Sequence, residues 1–162
     1  MDLLTSFPFL AAMLAISGAL ISYFLARQFL LRMHQRKGER ALKRGDHLAA
    51  LRSFARAESL WQLNVTRQTY PSYLDDLALL AELLDGLESA ARHEGIVLAV
   101  ADYREALQFM RSVFDATQTT VRRPVDKSHV PVDQEFRHAQ SSFRRELRSA
   151  LRSAASKTLP RV

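Results

Sequence analysis

Glu135 and His138 stand three residues apart in a helix-forming stretch, the spacing with which one helix offers a carboxylate and an imidazole to a di-iron centre. Such a centre needs a second Glu-x-x-His pair and two further glutamates, and the chain holds no second pair. The five histidines, His34, His47, His93, His129 and His138, lack the paired spacing that brings two imidazoles to one metal, and each reads best as a surface residue. With no cysteine there is no thiolate ligand, no disulfide and no sulfur nucleophile. A phosphate-cradling glycine loop, a nucleophile elbow and a dinucleotide fingerprint are all missing from the sequence. No catalytic residue, no cofactor and no small-molecule substrate is therefore expected, and the function to look for is binding.

Arginine is the side chain best placed for that. From Asp133 to Lys157 the pattern is strongly amphipathic: Phe136, Ala139, Phe143, Leu147 and Leu151 share one side of a helix, and Arg137, Arg144, Arg145, Arg148 and Arg152 share another. Three supports suit such a helix: the core of its own domain, an anionic membrane surface, or an acidic partner. Nucleic acid is not expected, because aromatic residues do not interleave with this basic face and the middle of the chain is acidic. Ser141, Ser142, Ser149 and Ser153 lie beside the arginines, where phosphorylation would alter the charge of the face.

What positions this helix begins at the other end of the chain. No charged residue occurs between Asp2 and Arg27, and such a run, at about 1.5 Å per residue, crosses a hydrocarbon layer of roughly 30 Å. A cleaved leader would carry its positive charge ahead of the apolar run, where this chain has only Asp2, so a retained anchor is expected. Seven basic residues and one acid, Glu39, follow within 27–44. By the positive-inside rule Met1 is then outside and the rest of the chain cytoplasmic. Ala11, Ala15 and Ala19 form one small-residue row along the anchor, with Gly18 and Ser22 in an adjacent row; rows of this kind let two helices approach closely in lipid.

Beyond the anchor the charge alternates by segment. Residues 45–120 carry 6 basic and 11 acidic side chains, and residues 121–162 carry 10 and 4. Few glycines and prolines, abundant Ala and Leu, and no series of alternating strands point to an all-α fold. Helix is expected to continue out of the bilayer to Arg44, turn at Gly45 and Asp46, and resume over His47–Leu60 with Asp46 as N-cap. A third helix starts near Pro71, buries Leu77, Leu80, Leu84 and Leu87, and shows Asp75, Glu82, Asp85 and Glu88 outward. Gly95 ends it, and Ile96–Asp115 reads as a fourth helix with Val97 among its packing residues.

Across 38–57 the order Gly38, Ala41, Gly45, Asp46, His47, Ala50, Leu51, Phe54, Ala57 resembles the tetratricopeptide repeat. The resemblance implies that Gly38, Ala50 and Ala57 permit close approach of two antiparallel helices and that Phe54 fills the space between them. It covers part of one repeat; His34 and Lys37 replace the usual Trp and Leu, and no proline follows Leu60 closely. A fainter match, from Ala101 to Val113, is offset by a distance that is not the family period.

The expected layout is a single transmembrane helix at 1–27, a small cytoplasmic tetratricopeptide-like helical domain at 28–115, a linker at 116–132 and a basic helix with its tail at 133–162. The expected function is that of a non-catalytic adaptor, an accessory or assembly subunit of a larger bacterial inner-membrane complex whose partners are integral-membrane subunits. Arginine outnumbers lysine 19 to 4, which points to a GC-rich bacterial genome. The alternative is an anchored receptor that binds basic peptide segments in a helical groove.

Overall fold

The computed structural model describes residues 3–61, 70–119 and 130–158, and among these residues it is helical throughout apart from short connections, with no strand. The first helix, α1, spans Leu3–Lys43 without a break and would be about 60 Å long at the standard helical rise. Its part from Ala11 onward is long and apolar enough to cross a membrane, and almost none of its most apolar stretch is covered by the rest of the chain.

A glycine in the left-handed region closes α1. Gly45 has φ +76°, a value that costs an L side chain but not glycine, and the Asp46 amide donates back to the Ala41 carbonyl at 3.0 Å. Asp46 then caps the next helix, its carboxylate accepting from the Ala49 amide at 3.0 Å. Helix α2 follows over His47–Leu60, the bounds expected from the sequence, antiparallel to α1.

Helix α3 spans Tyr70–His93 and supplies most of the core through Leu77, Leu80, Leu83, Leu84 and Leu87. Its end repeats the first device: Gly95 has φ +66° and the Ile96 amide donates to the Ala91 carbonyl at 2.9 Å.

Three boundaries differ from the sequence expectation. Residues 96–100 are not helical, and α4 covers Ala101–Thr119, with the Val100 carbonyl accepting its first bond from Arg104. Ile96, Val97 and Val100 are β-branched and disfavour helix, and two amides of the segment bond outside a helical ladder, Ala99 to the Glu146 carboxylate and Val100 to the Leu98 carbonyl. Val97, expected to pack, is 91 % exposed. The expected linker is also shorter at both ends: α4 continues to Thr119, and α5 spans Val130–Thr158. Pro131 lies in the first turn of α5, where its missing N–H has no partner to lose. Residues 120–129 of the expected linker lie outside the described residues.

Helix α5 is part of the domain. Phe136, Phe143 and Leu147 are buried, and Phe136 and Phe143 pack on Tyr103 of α4 with ring centroids 5.5 and 5.3 Å apart. Of the three supports open to the basic helix, its apolar side takes the domain core. Among the described residues one hydrophobic core is shared by α2, α3, α4 and α5, with Leu31 of α1 included.

Candidate functional site

Glu58 lies in the last turn of α2 and is fully buried. An unpaired carboxylate there would cost several kcal/mol in lost hydration, so its partners decide whether the site can exist. Arg144 of α5 supplies the charge: its Nε donates to Glu58 Oε2 at 2.9 Å and to Oε1 at 3.0 Å. The Tyr103 hydroxyl donates to Oε1 at 3.0 Å and accepts from the Gln140 amide at 2.8 Å. Burial, and after it the Glu58 charge, push the Tyr103 hydroxyl well above the usual phenol range, with Arg144 and Gln140 opposing. Every oxygen of Glu58 is therefore engaged by groups of the chain itself, and the carboxylate is sealed from solvent. This arrangement joins α2, α4 and α5 mechanically and keeps the Glu58 carboxylate within the core.

The same turn of α2 carries a second convergence. A helix C-terminus presents carbonyls without intrahelical partners and a partial negative charge. Arg144 Nη2 donates to the carbonyls of Glu58 and Trp61 at 2.8 and 3.1 Å, and Arg27 Nε, from the first turn after the uncharged run of α1, donates to the Leu60 carbonyl at 2.6 Å. Trp61, the chain's one tryptophan, is buried alongside, with Nε1 donating to the Asp76 carbonyl at 2.8 Å. The end of α2 is thus held from one side by the foot of the apolar helix and from the other by the middle of α5.

Arg144, one of the arginines expected to contact a partner or lipid, bonds within the chain: Gln140, Phe143, Arg144 and Leu147 occupy adjacent turns, so Arg144 sits at the edge of the apolar side and reaches inward. Arg137, Arg145, Arg148 and Arg152 are exposed. The acidic outer face of α3 is largely answered within the chain. Arg104 pairs with Asp85 at 2.7 Å and with Glu88 at 2.6 Å, Glu88 also pairs with Arg92, and Gln35 donates to Glu82 at 3.0 Å. Asp75 is exposed.

In the α1 and α2 hairpin, Gly38, Ala50, Phe54 and Ala57 are buried and Ala41 is half-buried, while Gly45 is exposed at the turn. The Phe54 ring covers Gly38 and also Gly86 of α3, a residue the sequence reading passed over. In the anchor Ala11, Ala15, Ala19, Gly18 and Ser22 are all exposed, with nothing within 4 Å of a β-carbon placed on Gly18.

Glu135 and His138 are exposed and line an open groove of about 550 Å³ between the start of α4 and α5, together with Asp102 and Glu146. Among the described residues no group of three or more His, Asp or Glu side chains is arranged to hold a metal ion. His47 and His93 stack at 4.2 Å where the far ends of α2 and α3 meet.

Glu58, Tyr103, Gln140 and Arg27 were missed as a unit. One signal was present: Glu58 falls four residues after Phe54 and seven after Leu51, on the apolar side of α2, a place an acid takes only with a partner. Nothing in the sequence names Arg144 as that partner, 86 residues away.

Fold and site together describe an all-α protein with one helix able to cross a membrane and a helical domain clamped to its foot. Comparison with protein-family models, with curated proteins and with solved structures finds no match for this chain.

Proposed function

We propose that this protein is a single-pass membrane adaptor, N-terminus outside and helical domain in the cytoplasm, serving as an accessory or assembly subunit of a larger bacterial inner-membrane complex. The reading rests on one observation above the rest: α1 is shared. Residues 11–26 are exposed, while Leu31, Gln35 and Gly38 of the same unbroken helix are buried in the domain, and Arg27 bonds the end of α2. A neighbouring membrane helix docked on the Ala11, Ala15, Ala19 row would thereby hold the cytoplasmic domain in a set position. A stiff mount of this kind suits a fixed subunit, and the burial of Glu58 among partners of its own chain suits a protein that binds without chemistry.

Mild-detergent extraction, affinity purification and mass spectrometry test this. A constant set of integral-membrane proteins at fixed ratio is expected, lost on Ala15→Leu with Ala19→Leu while membrane insertion persists. Retained co-purification in that variant would remove the anchor from the interaction.

The receptor reading has one observation in its favour, the groove with Asp102, Glu135 and Glu146 on its walls, where a basic side chain of an extended peptide would find carboxylates. It predicts peptide binding that weakens with salt and with Glu135→Gln, and a shifting set of soluble proteins in the purification.

A further inference from the structure

We infer that the exposed arginines of α5 hold the domain flat against anionic phospholipid headgroups. This rests on the reading of α1 as a membrane span, and three features of the structure carry it beyond that.

Depth comes first. Arg27 and Arg144 bond the same turn of α2, so the middle of α5 lies at the level where the uncharged run of α1 ends. The headgroup layer, roughly 5 to 8 Å on each side of the hydrocarbon, is at that level.

The apolar surface of α1 does not stop at Arg27. Phe29, Leu30 and Met33 are 70, 40 and 37 % exposed, while Leu31 and Gln35 turn into the domain. Those outward side chains run beside the end of α2, and covering them with lipid draws the domain down until its near end enters the interface. Arg27 stays compatible with that depth because its guanidinium is already bonded within the chain.

Direction is the third. Arg137, Arg144 and Arg148 recur at i, i+7 and i+11 and so occupy one stripe of α5, with Arg145 and Arg152 on its flank. Arg144 reaches the end of α2 nearest the uncharged run of α1, and its stripe mates Arg137 and Arg148 are exposed on either side of that contact. Guanidinium groups match phosphate oxygens in a two-bond geometry, and a basic helix face at headgroup depth is matched by anionic lipid.

The absence of cysteine allows one site-specific label. The full chain carrying Ser141→Cys, an exposed position within the stripe, is labelled with a fluorophore and reconstituted into liposomes containing a headgroup-attached quencher, either with phosphatidylglycerol or with phosphatidylcholine alone. Strong quenching is expected in the anionic liposomes, reduced several-fold in the zwitterionic ones and by raising salt to about 1 M, where the Debye length is about 3 Å. The combined Arg137→Gln, Arg145→Gln, Arg148→Gln and Arg152→Gln variant should lose the anionic increment while the Trp61 emission wavelength stays unchanged, which shows an intact core. Equal quenching in both lipids, or quenching indifferent to the four substitutions, overturns the inference and leaves an acidic protein as the occupant of the stripe. Resistance of the same liposomes to carbonate extraction reads the span separately: an extractable chain would sink the membrane reading itself, whereas an inserted chain without lipid dependence sinks this inference alone.

Discussion

The Phe54 ring lies so close to Gly86 that a β-carbon on Gly86 would meet Phe54 Cζ at 2.7 Å, and on the opposite side one on Gly38 would meet Cε1 at 2.9 Å. A ring gripped between backbone on α1 and backbone on α3 has nowhere to yield. Gly86→Ala ordinarily favours a helix by about 1 kcal/mol. Here the clash is expected to win, with a net loss of about 1 to 3 kcal/mol, read as a lower urea midpoint for Trp61 fluorescence. Phe54→Ala empties the site and should cost about 3 to 5 kcal/mol. Combined with Phe54→Leu, Gly86→Ala should do less harm than alone, since the branched chain leaves the glycine faces free.

Arg144 and Glu58 depend on each other in an asymmetric way. Removing the cation alone strands a carboxylate with 1 % side-chain exposure, and Arg144→Ala should destabilise the domain by about 3 to 5 kcal/mol. Replacing both, as Arg144→Met with Glu58→Leu, is expected to recover most of that loss, because no buried charge remains. Arg148→Ala, four residues further on the same stripe, should change stability by less than about 0.5 kcal/mol. Urea titrations of the four proteins in one lipid environment separate these outcomes.

Alkaline pH should act through Tyr103. Its folded-state pKa is raised above the ordinary value of 10.0, first by burial and next by Glu58, so above about pH 10 the unfolded chain sheds a proton that the folded chain keeps. Stability from this group is therefore level below about pH 10 and declines above it, by up to about 1.4 kcal/mol per pH unit. Unfolding midpoints taken from about pH 8 to pH 11 should slope downward in the native chain. Tyr103→Phe should start lower, by about 1 to 3 kcal/mol for the Glu58 and Gln140 bonds it abandons, and slope less.

Arg27 bonds the Leu60 carbonyl across 33 residues, and Arg27→Met keeps the aliphatic stem while removing the donor. A loss of about 1 to 3 kcal/mol is expected, with Trp61, next to Leu60, reporting it directly. If the domain's stability were independent of this contact, Arg27→Met would leave the urea midpoint where it was.

Much of the local structure was written in short-range signals. The Gly45 and Asp46 pair dictates a left-handed closure and a side-chain cap within five residues, and α2 begins where those signals put it. The leucines of α3 repeat with helical spacing over several turns, and the face they mark is the one that is buried. Where the signal weakened, so did the reading: Ile96 to Val100 is not helical, and one of its amides, that of Ala99, bonds Glu146, a residue on another helix.

The apolar run before Arg27, the basic cluster behind it, the helical character of the domain and the turn at Gly45 depend on hydropathy, charge and backbone preference within a few residues of one another, and the sequence by itself determined them. Pairing is a different quantity. Five arginines on α5 are equivalent by composition, and only one has a buried partner, because only Arg144 comes to rest over the end of α2 where Glu58, Tyr103 and two backbone carbonyls meet. The energy of that choice lies in desolvating a charge against groups far away in the chain, so the tertiary structure alone decided which arginine locks the core and which four remain on the surface.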